Sequence, residues 1–206
     1  MNNLEKMQQF VEEFGFGILV SCDEDRGLGN GMQASHLPFI LRPNEGHSGT
    51  LYTHCARANP QWKQFANSDV LITFSGPHSY VSPTWYKQKP AVPTWNYAAV
   101  HVYGRVVLTE KEQSLDAMIA LIKKYEPSLL DRDDVMPKDF VNKLFTGIVG
   151  FKIKVNRMQG VQKLGQQRST ADQLGVYHAL SDSKNADSVA LAKYMNKYNL
   201  GVGASR

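Results

Sequence analysis

Cysteine is almost absent. Cys22 and Cys55 are the only two in 206 residues, too few for a disulfide framework or a cysteine-built zinc site, so a reduced, cytoplasmic protein is expected. No apolar run approaches the ~20 residues that a membrane-spanning helix needs. The opening Met1–Phe10 carries Glu5, Lys6 and two glutamines in place of the apolar stretch of a signal peptide. No membrane partner is expected. Glycine-rich phosphate loops of the Gly-x-Gly-x-x-Gly or Walker type are missing, which removes support for a dinucleotide or nucleoside-triphosphate fold. The six histidines (36, 47, 54, 78, 101 and 178) show neither His-x-x-x-His nor His-Glu-x-x-His spacing, and no metal site is expected. There is no internal repeat and no low-complexity linker. What remains is an ordinary globular balance of 42% hydrophobic, 10% aromatic and 20% charged residues, which excludes disordered, collagenous and coiled-coil classes.

Charge is unevenly placed. Residues 151–206 hold nine Lys and Arg against Asp172, Asp182 and Asp187, whereas the first 150 hold 14 bases and 16 acids. A basic C-terminal quarter admits a nucleic-acid or phosphate partner. It equally admits a solvated surface of spaced lysines.

Leu4, Met7, Val11 and Phe14 recur at helical spacing, which predicts a helix over 2–14. Strands are expected at 15–21, 31–41, 49–56, 69–75 and 79–82, with a turn at 22–30 and a loop at 43–49. Asn59-Pro60 suits the start of a helix running to about Asn67, because asparagine caps well and proline fits the first turn. A proline- and lysine-rich loop spans 83–93. Trp95–Leu108 is the longest strand candidate, with Val100, Val102 and Val106 on one face and His101 and Tyr103 on the other. Leu115, Met118, Ile119 and Ile122 mark a helix that turns Lys111, Asp116 and Lys123 outward. Pro137 opens another helix to about Gly147, 149–155 alternates as a strand that continues irregularly to Leu164, and Ser169-x-x-Asp172 reads as a capping box opening a helix to about Leu180. The last helix, near 184–198, puts Leu191, Tyr194, Met195 and Tyr198 on one face. Strands and helices do not alternate as in a doubly wound sheet. A mainly β (α+β) fold is expected, a small antiparallel barrel in a single domain over 1–206, with helical insertions near 110–147 and a helical extension near 169–198.

Two stretches could carry chemistry. Six of the twelve Trp and Tyr residues (Tyr80, Trp85, Tyr86, Trp95, Tyr97, Tyr103) lie within 79–104. Their rings could stack on a planar ligand, or fill a barrel core or a dimer seam. Thr53-His-Cys-Ala-Arg-Ala-Asn-Pro60 leads from a strand end into a helix start, where unpaired N–H groups gather beside Arg57 and one turn from Lys63. That arrangement suits a phosphate; a plain cap by Asn59 with an exposed Arg57 is the alternative. Arg168, just before the Ser169 cap, could hold a second acidic group or pair with Asp172. Adjacent His54 and Cys55 point to opposite faces of a strand and make a poor base–nucleophile pair.

Four ordered segments carry a family resemblance: Ser35-His-Leu-Pro-Phe39, Ala56-Arg-Ala-Asn-Pro-Gln-Trp-Lys63, Gly76-Pro-His-Ser-Tyr-Val-Ser-Pro-Thr-Trp-Tyr86 and Val92-Pro-Thr-Trp-Asn-Tyr-Ala-Ala-Val-His-Val-Tyr-Gly104. Together they resemble the PaiB family, described as FMN-binding negative transcriptional regulators. Two departures exist: the family's Met-Tyr-x-Pro opening reads Met1-Asn-Asn-Leu4 here, and its late Ser-Gln-Asn-Arg reads Gly165-Gln-Gln-Arg168. The resemblance implies an FMN-binding split β-barrel of Greek-key type, like that of pyridoxamine-phosphate oxidases, and a homodimer with flavin sites at the subunit interface. It implies Arg57, Asn59 and Lys63 at the FMN phosphate, and His36, Leu37 and His54 along the isoalloxazine. Trp62, Trp85, Trp95 and Asn96 would wall the pocket, and Lys163, Gln166 and Arg168 would reach in from the second subunit.

Three functions fit this pattern. The first is a flavin-binding repressor, with DNA as a direct partner only through the basic C-terminal surface, since no helix-turn-helix is legible. The second is an FMN-dependent oxidoreductase, since the fold cannot choose between regulation and redox turnover. The third is a binder of haem or another planar ligand, for which His36, His54 and His78 are available. No catalytic residue is assigned.

Overall fold

The computed structural model describes residues 1, 3–23, 31–65 and 68–203. Among them are six α-helices: α1 (Leu4–Glu13), α2 (Gln61–Phe65), α3 (Lys111–Tyr125), α4 (Lys138–Phe145), α5 (Thr170–Ser181) and α6 (Ala186–Lys197). Seven strands accompany them: β1 (Phe16–Cys22), β2 (Met32–Pro38), β3 (Ile40–Arg42), β4 (Thr50–Ala56), β5 (Asp69–Val81), β6 (Thr94–Leu108) and β7 (Ile148–Lys163). They form one antiparallel sheet in the order β2-β1-β5-β6-β7-β4-β3. The meander β5-β6-β7 is flanked by strands from earlier in the chain, a Greek-key arrangement.

The sheet is not closed by hydrogen bonds. The chain bridges its two edges instead. β2 pairs with β1 from Met32 to Pro38 at one edge, and β3 pairs with β4 from Ile40 to Arg42 at the other. Only Phe39 lies between them, fully buried, with its N–H donating to Gly15 O at 2.7 Å and its ring edge-on to Phe74 at 5.4 Å. Thr53 Oγ1 on β4 also donates to Pro38 O at 2.6 Å. This is the split barrel that the family resemblance implies.

The single strand expected over 31–41 is thus two strands, because Phe39 turns inward and hands the chain from one sheet edge to the other. The strands expected at 69–75 and 79–82 are one. Pairing of β5 with β1 ends at Phe74, so Pro77, which has no N–H, lies beyond that ladder and does not interrupt it. β7 runs straight through to Lys163 and, at 16 residues, exceeds the 15 of β6. The turn expected at 22–30 falls mostly outside the described residues, as do Asn2, 66 and 67 at the ends of the first two expected helices.

By packing, the chain divides into two compact units. One comprises Asn2–Phe74 and Val100–Gln159. Its core joins Phe10, Leu19, Phe39, Leu51, Phe65, Ile72, Phe74, Phe151 and Ile153, all at or below 1% exposure. On β6, Val100, Val102 and Val106 are buried as the alternation predicts, with His101 and Tyr103 half-exposed. Helix α3 departs from expectation. Ala117 and Leu121 are its buried residues, whereas Leu115, Met118, Ile119 and Ile122 are only half-buried. Small side chains explain the rotation. Ser114 Oγ meets Thr109 Oγ1 at 2.8 Å in the space where any Cβ at Gly150 would clash.

The other unit comprises Ser75–Ala99 and Gly160–Arg206, together with Met1. Helices α5 and α6 bury Leu180, Leu191 and Met195. Buried Ser79 and Ser188 hydroxyls meet at 2.8 Å, and Gln162 Nε2 donates to Tyr194 OH at 2.7 Å. Gly201, at φ +69°, turns the chain after α6 against Leu164 O, where a side chain would collide. Among the described residues, no helix is long and apolar enough to cross a membrane.

Candidate functional site

The junction from β4 to α2 is fixed by contacts that are distant in sequence. Antiparallel pairing sets His54 opposite Gly150 and Ala56 opposite Ile148. The Arg57 N–H then donates to Gly147 O at 2.8 Å, its Nε to Thr146 O at 2.9 Å and its Nη2 to Ile148 O at 3.0 Å. Trp62 Nε1 closes the turn onto Arg57 O at 3.0 Å. A guanidinium has five N–H donors, so among the described residues three have no partner. Asn59 works in two directions: its Oδ1 accepts from Gln61 N at 3.0 Å, and its Nδ2 donates to Ser35 Oγ on β2 at 2.7 Å.

Gln61 was not legible as a site-building residue. It is 1% exposed, and its Nε2 lies 3.0 Å from both Ser21 Oγ and Gln33 O. That clamp seats α2 against β1 and β2. Its only sequence signal is a polar side chain at the first helical position, where an outward residue is the usual reading. Helix α2 has only five residues, so its dipole adds little, and side-chain donors dominate the electrostatics of the turn.

Arg57 and Lys63, paired by the sequence reading, line different crevices. Lys63 borders one of about 320 Å³, with Asp23, Gln33, Pro60 and Gln64. Its side chain is exposed, and its Nζ lies 5.7 Å from the Trp62 ring centroid. Arg57 and Trp62 border another crevice, of about 390 Å³, whose further walls include Lys111, Ser114, Asn142 and Phe145.

On β2, His36 is exposed and stacks on Phe16 at 6.1 Å, whereas Leu37 is buried. His54 is half-buried, and desolvation holds its imidazole below the ordinary histidine range, so the neutral ring is favoured. Burial pushes the Cys55 thiol up to about 11, with the Arg57 charge offsetting only part of the shift. A thiolate nucleophile is therefore not available there at neutral pH.

The remaining candidates lie in the other unit. Trp95 is 52% exposed, 5.6 Å from the His78 ring and 6.5 Å from that of Tyr80. Asn96 is buried on the same face of β6 as Ala98. Trp85 is half-buried in a short 3-10 turn (Pro83–Trp85) capped by Ser82, and its carbonyl rests where a Cβ at Gly175 would be. Lys163 Nζ donates to Thr94 Oγ1 at 2.6 Å. Gln166 braces its own loop, accepting from Leu164 N at 2.9 Å and donating to Gln162 O at 2.8 Å.

Arg168 lies over the Tyr86 ring at 4.6 Å. Asp172, fully buried, accepts from Lys87 N at 2.8 Å and Gln88 N at 3.0 Å through Oδ1. Those backbone bonds, that from Gln88 foremost, hold its carboxyl below the usual range despite burial. Ser169 caps α5 as the capping-box reading predicts, its Oγ accepting from Asp172 N.

Residues 1–157 match the family model described as "Putative FMN-binding domain". The Bacillus subtilis protein named protease synthase and sporulation protein PAI 2 is 37% identical over 201 residues, covering 95% of this chain and 92% of its own. Among solved structures, the fold is similar to that of the flavocytochrome Anf3 from Azotobacter vinelandii. That match has a TM-score of 0.60 at 13% identity, over 79% of this chain and 68% of the other. A FAD and heme binding protein from Mycobacterium smegmatis gives a TM-score of 0.59 at 9% identity, over 79% and 72%. The PaiB resemblance and the split barrel that it implies are both borne out.

Proposed function

We propose a function from one premise, that this chain belongs to the FMN-binding domain family, with FMN as its cofactor: it is a flavin-binding regulator of the PaiB type. The residues present fit that group. The β4–α2 turn offers the exposed Lys63 ammonium for a phosphate, with Asn59 holding the turn to Ser35. His36 is exposed on β2 and His54 half-buried on β4, while Leu37 points to the opposite, buried face of β2, so the two imidazoles and the β2 backbone at Leu37 are the candidates for lining the ring. Arg57 ties the same turn to the 146–148 backbone and does not line the Lys63 crevice.

FMN, when bound, supplies one- and two-electron chemistry at the isoalloxazine. The chain's residues bind and orient it. Lys63 anchors the anionic end, the β2 backbone at Leu37 lines the ring, and His54, kept neutral by burial, offers an imidazole nitrogen as a proton acceptor. The protein acts in the cytoplasm as a homodimer with its flavin sites at the subunit seam. Trp62, Trp85, Trp95 and Asn96 are further candidates for the pocket walls, and Lys163, Gln166 and Arg168 for contacts made by a second copy. Repression runs through the flavin state, with the basic C-terminal surface as the candidate contact to DNA.

The observation that carries this reading is the gathering of Asn59 and Lys63 in one turn, tied to the strand that bears His36 and Leu37. The neutral His54 favours a second reading, an FMN-dependent oxidoreductase. The absorption spectrum of freshly purified protein tests the shared premise. Flavin bands at roughly 370 and 450 nm are expected, and a Soret band would overturn FMN in favour of haem. Salt-dependent retention on duplex DNA then supports the regulator, and anaerobic bleaching by NAD(P)H supports the oxidoreductase.

A further inference from the structure

The crevice bordered by Arg57 shares no lining residue with the one that borders Lys63, and of its walls the flavin reading draws only on Trp62. Its volume of about 390 Å³ lies within the range of small-molecule sites. Its walls divide by chemistry. Trp62, Phe145, Leu108 and Val149 supply an aromatic and aliphatic surface, while Arg57 and Lys111 bring two positive charges and no carboxylate lines the space. Among the described residues, Lys111 and Asn142 make no hydrogen bond or ion pair through their side chains. Arg57 is held rigid by Thr146 O and Ile148 O yet keeps three donors. A guanidinium fixed by backbone carbonyls is pre-organised for a planar, bidentate acceptor, and carboxylate matches that geometry. The adjacent indole and phenyl rings suit a flat apolar body.

We propose that this cleft is a second binding site, specific for an aromatic carboxylate and separate from the flavin site. The ligand's ring lies between Trp62 and Phe145, and its carboxylate meets Arg57 and Lys111. Such a ligand would touch the β4–α2 turn through Arg57 and Trp62, the turn that also carries Lys63, and, resting on the flavin reading, it can act as an effector of the flavin site.

Calorimetric titration of the full-length protein with 2-naphthoate tests this. One molecule is expected to bind per chain, while the neutral isostere 2-naphthamide binds too weakly to register. Lys111→Ala should weaken naphthoate about tenfold, the scale of one charge-assisted hydrogen bond, with the melting temperature unchanged because Lys111 is exposed. Saturating FMN should leave the naphthoate stoichiometry intact. Unchanged affinity in both Lys111→Ala and Lys111→Glu overturns the proposal, as does mole-for-mole displacement of naphthoate by FMN. Loss of flavin binding alone, with naphthoate still bound, sinks the functional reading and leaves this one standing.

Discussion

Arg57 and Lys63 flank a single turn, and both are cations in a motif that reads as a phosphate cradle, yet the fold uses them differently. Arg57 faces the connection between α4 and β7, and its side chain is already bonded to two carbonyls across the sheet. Among the described residues the Lys63 ammonium makes no hydrogen bond or ion pair, and it borders Asp23, Gln33 and Pro60, on the side where Asn59 reaches Ser35 of β2. A cation bonded to backbone acts first as a structural tie and only secondarily as a binding group. One left without partners is available for an incoming charge, because no existing contact has to break. In the proposed reading the turn therefore has Arg57 as its structural side and Lys63 as its recognition side.

Lys63→Ala should give the largest effect in breaking that division. A charge-assisted contact to phosphate would be lost, lowering FMN affinity by roughly tenfold to a hundredfold. Riboflavin, which lacks the phosphate, should bind both forms alike. Fluorescence-quenching titrations with the two flavins check this, and equal loss for both would remove Lys63 from the phosphate. Arg57→Ala should act the other way round. Its two bonds to the 146–148 backbone are partly solvent-exposed, so their loss should destabilise the fold by about 1–2 kcal/mol, lowering Tm by roughly 2–8 °C. FMN affinity should fall less than in Lys63→Ala. A variant that melts normally but no longer holds FMN would show that Arg57 belongs to the recognition side after all.

The division was hidden in the sequence for a physical reason. Local pattern shows that a strand ends near Ala56, which is found, and that Asn59-Pro60 starts a helix, which begins one residue later, at Gln61. It cannot show what lies across the sheet. The partners of Arg57 are at 146–148, and they are brought near only by the β4–β7 ladder, whose register depends on the whole fold. The same limit explains Phe39. A run of residues that suits a strand cannot show that one of its members crosses between sheet edges. Helix α3 fails differently. Its periodicity is legible, but the buried face is set by how closely Ser114 and Ala117 let the helix approach Gly150, so small residues win over the apolar stripe. Where burial follows strict alternation, as along β6, or where a side chain acts on its own helix, as Ser169 does, sequence and structure agree.

The smallest expected effect lies on the recognition side and is read through pH. His54 sits on the β4 face opposite buried Cys55, and burial lowers its folded pKa below the ordinary value. Above about pH 6.5 neither the folded nor the unfolded chain protonates it, and it contributes no pH dependence to stability. As pH falls below that value, the unfolded chain takes up a proton that the folded chain refuses, so stability declines until the lowered folded pKa is reached. His54→Gln removes this term without charging the site. The Tm of the variant should therefore fall less than that of the parent between pH 7.5 and 5.5, measured without flavin so that ligand stabilisation does not mask the difference. Bound FMN would cover this surface further and steepen the parent's dependence, whereas a ring lying elsewhere would leave it unaltered. A parent profile unaffected by FMN, together with normal flavin affinity, would move the isoalloxazine away from β4 while leaving Lys63 at the phosphate.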